Sequence, residues 1–305
     1  MISPISVCRR LVLASTFVGA TAFPLIAAQP GSGDSSEDSL KFQPSLETSF
    51  SFDAGLDEGQ RALGDINTWQ WRFDAPLRFS GGGPVEWTVG PGFQRFSFSR
   101  PDGAPIPSAL HAYHAILGAQ WRFSEAWTGR IELQPGVYSD MEDINSGDLN
   151  VPALAGLIWR VRDNLLAVAQ LSIDARRDTP AIGGIGMRWG FAPDLTLSLM
   201  VPRPQIEFRP DEKSMFFAGA SLQGRTFRVA EDFGTRIGRP ELNDQDVEYR
   251  EIRLGAGWRR QLVEGLSFQV EGGWSVDRRF LYDDVNLMLN GAGAPFVGVM
   301  LIGTF

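Results

Sequence analysis

The sequence predicts an all-β protein, an antiparallel up-and-down transmembrane β-barrel of about 14 strands, with about 12 as the alternative. Three observations lead there. The chain closes on an apolar strand ending in Phe305, tryptophans stand beside tight polar turns, and short connections alternate with long ones.

The first segment is a targeting signal. Arg9 and Arg10 precede an apolar stretch over 11–28, and Ile26-Ala27-Ala28 forms a small-residue cleavage site before Gln29. An uncleaved signal anchor is the alternative, because the run over 11–30 is uncharged and long enough to span a bilayer. Either way the rest of the chain leaves the cytoplasm. Cleavage after residue 28 leaves 277 of the 305 residues, with 26 basic against 36 acidic side chains and a net charge of −10. The only cysteine, Cys8, departs with the leader and lies ahead of its apolar run, which excludes a disulfide scaffold, a thiolate metal site and a lipoprotein anchor. The acidic balance argues against general nucleic-acid binding. Residues 29–40, QPGSGDSSEDSL, are polar and low in complexity and predict a disordered spacer.

From residue 41 to 305 the pattern is that of two-faced strands, with no sustained helical period. Over 68–79, Trp69, Trp71, Phe73, Ala75, Leu77 and Phe79 share one face, against Gln70, Arg72, Asp74 and Arg78. Residues 165–174 set Leu165, Ala167, Ala169, Leu171 and Ile173 against Gln170, Ser172 and Asp174. Over 266–276, Leu266, Phe268, Val270 and Trp274 oppose Ser267, Gln269 and Glu271, while Ile252, Leu254, Ala256 and Trp258 oppose Arg253 and Arg259. Strands are predicted at 45–54, 66–79, 84–99, 110–123, 127–139, 151–161 and 165–174. Further strands follow at 182–191, 195–201, 205–210, 214–229, 247–259, 266–276 and 294–305. If the pair around Pro202 and Pro204 is one bent strand, parity lowers the count to about 12.

A secreted sandwich would bury the apolar face between sheets; a barrel turns it to lipid and lines a wet lumen with the polar one. The barrel is favoured on the three observations above. The run over 296–305 ends in an aromatic, like the assembly signal of bacterial outer-membrane barrels, although Met300 and Ile302 fall on the lumen face. Five glycines and prolines between 291 and 303 argue against a helix there. Trp121, Trp159, Trp189 and Trp258 each lead into a tight turn and, with Trp71, are the candidate membrane-interface aromatics. The longer connections, 55–65, 100–108, 140–150, 175–180, 230–246 and 278–292, all fall on one side.

No catalytic motif is present. His111 and His114 lie three apart on a strand and point to opposite faces, so they do not share an ion. No His-Glu-x-x-His, Gly-x-Ser-x-Gly or phosphate-cradling loop occurs, and the outer-membrane phospholipase signature His-x-Ser-Asn-Gly is missing. No enzyme, cofactor or metal site is expected. The acidic stretch 140–148 suits a divalent cation in composition but lacks the spacing of a calcium loop, so a solvated, self-repelling outer loop is expected. Gly183, Gly184, Gly186 and Gly190 mark sheet geometry.

The chain resembles the bacterial outer-membrane β-barrel families classed as domains of unknown function. The resemblance rests on the leader, the strand–turn rhythm, Gln134-Pro-Gly-Val-Tyr-Ser-Asp140 ending a strand, and Phe305, and covers 41–305. It implies an outer-membrane location in a diderm bacterium and assembly by the general barrel machinery, among lipid and lipopolysaccharide. It implies no reaction.

By parity the lumen face carries Arg72, Arg122, Arg160, Arg188, Arg253 and Arg259 together with Glu132, Asp174, Glu251 and Glu271. Charges of both signs either compensate one another as a salt-bridged plug or line an aqueous channel. Arg122, Arg160, Arg188 and Arg259 lie near short turns, where a positive ring would favour anions. The expected function is a passive channel for small polar or anionic solutes; the alternative is a structural or surface-interaction barrel with a lumen closed by salt bridges.

Overall fold

In the computed structural model, which describes residues 40–81 and 83–305, one antiparallel sheet closes on itself as a β-barrel. The predicted leader and the spacer up to residue 39 lie outside the described residues. The sheet holds nineteen segments; three continue a neighbour across a break and two are two-residue flanks, leaving fourteen strands. In order these are β1 Ser45–Glu58, β2 Arg61–Asp74 with Leu77–Ser80, β3 Val85–Ser99, β4 Ala109–Arg122 and β5 Trp127–Leu133 with Gly136–Ser139. Next come β6 Ala153–Arg162, β7 Leu165–Ile173, β8 Ala181–Ala192, β9 Leu195–Ser198 and β10 Gln205–Phe208. The last four are β11 Ser214–Arg228, β12 Asp246–Val263, β13 Leu266–Tyr282 and β14 Leu287–Gly291 with Ala294–Gly303. Two of the breaks fall at Pro76 and Pro135, whose missing N–H cannot join a ladder. β14 against β1 closes the ring, Val297 facing Phe50 and Leu301 facing Leu46. Beside this seam, Phe42 and Phe305 exchange backbone hydrogen bonds of 2.8 and 2.9 Å.

The outward face is apolar and exposed. On β2 it runs Trp69, Trp71, Phe73 to Phe79, about 25 Å for a strand tilted as in membrane barrels. This belt is the membrane-spanning surface. Near the short turns it carries stacked Trp127 and Trp159, 5.4 Å apart, with the pairs Trp121–Phe123 and Trp189–Phe191. Trp258 lies opposite Phe216 in the same zone. Trp71 stacks on Trp69 at the other end of the belt.

The barrel has two storeys. At the short-turn end all fourteen strands make up the wall. At the long-loop end β6–β10 drop out, because β9 and β10 are four residues each and their connection carries Pro202 and Pro204. Leu222 N–H still reaches Pro202 O at 2.9 Å; β11 then climbs on to Arg228 and meets β5 directly, Arg228 facing Ser139 in parallel register. The upper ring therefore holds β1–β5 and β11–β14. Nine is odd, so one neighbouring pair must run parallel, and β5 with β11 is that pair. At Gly224 of β11 the backbone adopts φ +140°, and a side chain there would collide with the Tyr249 carbonyl.

The upper ring is packed solid. Leu56, Ile66, Phe96, Phe98, Leu110, Tyr138, Phe227, Tyr249, Phe280 and Leu289 point inward from its strands. The connection after β11 adds Phe233 and Leu242 to this core, and Ile106 enters from the connection after β3. Phe96 and Phe98 both pack on Tyr249, with centroids 4.8 and 5.2 Å apart. This core corrects two expected loops. The stretch 55–65 is a hairpin turning at Gly59-Gln60, and most of 278–292 is strand, β13 running to Tyr282 and β14 starting at Leu287. Their apolar residues face inward, the reverse of the belt below, which hides the strand from a reading that assigns apolar side chains to lipid.

Two outcomes test this architecture. Ser139→Cys combined with Arg228→Cys should crosslink on oxidation of the folded protein, whereas Ser139→Cys with Ile206→Cys should not. A pair that stays open by gel mobility would refute the nine-strand closure. Phe96→Ala should lower the unfolding free energy by about 3–5 kcal/mol in a urea titration.

Candidate functional site: the ionic interior

Below the apolar core the inward face is polar, and its solvent access falls from one end to the other. At the short-turn end Arg122 and Arg160 are exposed, and no carboxylate of the described residues lies within 4 Å of either guanidinium. Arg188 is spoken for: it grips Glu207 through two bonds of 2.9 and 2.8 Å, and Arg209 adds a third at 2.9 Å. Arg259 donates twice to the Gln269 side-chain oxygen, at 3.0 and 2.6 Å, and Gln269 in turn donates to Glu271 at 3.3 Å. Of the four arginines expected to ring this mouth, Arg188 is thus neutralised by a carboxylate, Arg259 is held by a neutral glutamine, and Arg122 and Arg160 have neither. Glu132, almost fully buried, takes Arg130 at 2.6 Å and Gln134 at 3.0 Å.

Halfway up, opposite walls touch. Arg203, from the β9–β10 connection, crosses to Glu47 of β1 at 3.1 Å, and Gln70 of β2 meets Gln223 of β11 at 3.2 Å. Here Arg253 and Glu251 are both 0% exposed. Arg253 donates to Glu251 at 2.8 Å and to Ser49 and Ser51 at 2.9 and 3.2 Å, and covers the Phe296 ring 4.9 Å away. Glu251 also accepts from Ser51 at 2.8 Å and Tyr249 at 3.1 Å. Polar atoms that leave water need partners in a low-dielectric interior, and here side chains of β12 and β1 supply one another, the Arg253 Nε excepted. Arg72 pairs with Asp74 at 2.6 Å. Asp174 accepts from Asn150 at 2.9 Å and faces Arg177 at 3.8 Å. Arg278, fully buried, donates to Thr68 at 3.2 Å and to the Ile66 carbonyl at 3.4 Å.

Several inward charges escaped the sequence reading. Arg203 sits in a proline-rich hairpin without alternation, Arg278 in a stretch read as loop, and Arg177 just beyond β7. Arg225 lies on β11, where aromatic residues straddle both faces. The two histidines part company: His111 stands outward opposite Arg95, and His114 is buried inward, stacked on Tyr138 at 6.1 Å. Among the described residues no group of three His, Cys, Asp or Glu is placed to hold a metal ion.

The acidic outer stretches are not the self-repelling loops expected from composition. Asp140 and Asp148 are buried. Asp140 accepts from Ala230 N–H at 3.0 Å, and Asp148 caps a single 3-10 turn through Asn145 N–H at 2.8 Å. Arg236 pairs with Glu142, Arg239 grips Glu58 at 3.1 and 2.6 Å, and Arg228 takes Asp244 at 2.7 Å. The 140–148 and 229–246 connections are therefore zipped together over the apolar core, arginines answering the carboxylates that composition alone left unbalanced.

Asp244 and Asp140 titrate with opposite sign. The hydrogen bond from Arg228 holds the Asp244 carboxyl below its ordinary value, so its contribution to cap stability is present above the unfolded pKa of about 4 and lost as pH falls through the folded value. Burial raises the Asp140 carboxyl, so it contributes in the other direction. As pH falls below about 4, protease cleavage within 229–246 should accelerate more in the wild type than in Asp244→Asn. In the interior, Glu251→Gln should destabilise by about 3–5 kcal/mol, whereas Glu251→Leu with Arg253→Met should cost far less; equal losses in urea titrations would contradict the pairing.

No protein-family model matches the chain, and no curated protein matches it. Among solved structures, it is similar to an outer membrane channel from Pseudomonas putida F1, at 10% identity and a TM-score of 0.46 over 90% of this chain and 99% of that one. It is also similar to the Pseudomonas putida toluene transporter TodX, at 7% identity and a TM-score of 0.39 over 88% and 90% of the two chains. A BenF-like porin from Pseudomonas fluorescens Pf-5 matches at 9% identity and a TM-score of 0.33, over 87% and 99%.

Proposed function

We propose that this barrel is a passive channel of the outer membrane for small polar or anionic solutes, entered from the short-turn, periplasmic side and shut at its outer end in this conformation. The observation that carries the reading is the gradient of the interior: Arg122 and Arg160 meet water at the short-turn mouth, while Arg253 and Arg278 above them are 0% exposed. An exposed guanidinium without a carboxylate partner leaves the mouth positive, and charged rings of this kind bias conduction toward the opposite sign. The leader expected over residues 1–28 and the lipid-facing belt favour the outer membrane, with lipid and lipopolysaccharide as its surroundings and the barrel assembly machinery as its route there.

A second reading is favoured by the Glu251–Arg253 cluster. Its complete burial suits a structural or surface-interaction barrel whose lumen is permanently closed by salt bridges.

Conductance across a planar bilayer separates the two. The wild type should give rare, small openings. Arg236→Ala with Arg239→Ala, which unzips the outer connections, should lengthen them. Arg122→Gln with Arg160→Gln should move the reversal potential in a salt gradient away from anion preference. Silence from both the wild type and the unzipped variant, in protein shown folded by heat-modifiable gel mobility, would overturn the channel in favour of the closed barrel.

A further inference from the structure

Where β5, β6, β7 and β11 come together at mid-height, a cavity of about 10 Å³ is enclosed by Gln134, Tyr138, Asp174, Arg177, Arg225 and Thr226 among its walls. That is about the room one water-sized species needs. The walls carry two guanidiniums and one carboxylate, and the carboxylate faces Arg177 at 3.8 Å. Arg225 is left over. It is 3% exposed and makes one hydrogen bond, to the Tyr138 hydroxyl at 3.2 Å, with its plane against the Tyr138 ring. Its Nε and Nη2 find no acceptor, and the Thr226 hydroxyl beside it has none either.

A buried cation in this state is costly, because a guanidinium taken out of water with no carboxylate in contact loses several kcal/mol of solvation, and Asp74 and Asp174 act on Arg225 only at longer range. A neutral water satisfies the free N–H groups but leaves the charge. We propose that this cavity is an anion site, taking a single monatomic anion of chloride size between Arg225 and Thr226. The chemistry fits the shape: Arg225 and Thr226 both line the space, its small volume excludes sulfate, phosphate or any carboxylic acid, and a charge of −1 balances the two guanidiniums and one carboxylate of the walls. The ion would tie β11 to β5 just below their parallel contact. The inference stands whether or not the barrel conducts.

The test uses the full refolded protein in detergent. Crystals grown in bromide should show anomalous density beside Arg225. Thermal unfolding at fixed ionic strength should occur roughly 3 °C higher in chloride than in gluconate, which is too large to enter. Arg225→Gln should abolish that difference while leaving the spectrum of the folded barrel. Should Arg225→Gln fail to fold, the wild-type chloride–gluconate comparison and the bromide crystals decide alone. Equal unfolding temperatures in the two salts would overturn the site, as would a cavity without anomalous density. Bromide density unaccompanied by any stabilisation in solution would mark an adventitious ion only and overturn it too.

Discussion

The contact between Ser139 and Arg228 sets the shape of the molecule. Around eight strands enclose an interior that side chains from opposite walls can just fill, and the diameter grows with strand number. A fourteen-strand cylinder is too wide for that, and its lumen would hold water along its length. By drawing β5 against β11, the chain shortens the upper ring to nine strands, narrow enough for Phe96, Phe227 and Tyr249 to meet across it. The solid core, the seal over it and the solvent gradient below all follow from this one closure. The five strands set aside, β6–β10, widen the short-turn end and contribute nothing to the central apolar cluster.

Between the two storeys the interior is held by charge. A buried ion pair gains little net stability over an apolar pair of equal volume, yet it is intolerant of losing one member. Glu251–Arg253 illustrates the consequence: Arg253 reaches Ser49 and Ser51 on β1, so β1 and β12 can sit at only one height relative to each other. Arg203–Glu47 does the same between the β9–β10 connection and β1. Apolar packing alone would permit a slide of two residues, which keeps every side chain on its face. Ionic clusters at fixed heights exclude that slide. Their value lies in register more than in stability.

The membrane storey was legible in the sequence and the upper storey was not. Trp69, Trp71 and Phe73 alternate with Gln70, Arg72 and Asp74, and period-two amphipathicity of this strength admits few other readings. The count of fourteen rests on that alternation together with the turn chemistry between strands, including the Pro202–Pro204 connection. Above the membrane the same strands invert their pattern, with Phe96 and Phe98 inward and Arg95 and Ser97 outward, so polarity no longer reports the face. Nothing local marks that switch. Pairing across the ring was equally hidden: that Arg225 lacks a carboxylate, or that Arg239 finds Glu58, depends on strands 87 and 181 residues distant in the chain closing at a particular height. Composition gave the acidic loops their charge but could not supply the arginines that answer it.

Opening such a barrel along its axis is constrained by where its energy resides. The strand ladders of the upper ring are continuous through β11, β12, β13 and β14, and parting them would strip backbone hydrogen bonds along whole edges. The inward aromatics are carried by those strands and cannot leave without them. The 229–246 connection is different: it inserts only Phe233, Leu242 and their neighbours, and Arg236, Arg239 and Arg228 hold it by pairs that remain partly exposed. Exposed pairs contribute about 0–1 kcal/mol each, and withdrawing two large apolar side chains costs roughly 3–6 kcal/mol. The lifting of this one connection is therefore the least costly first step in unsealing the outer end. The Gln70–Gln223 contact, a single neutral hydrogen bond between side chains, is then the weakest closure beneath it.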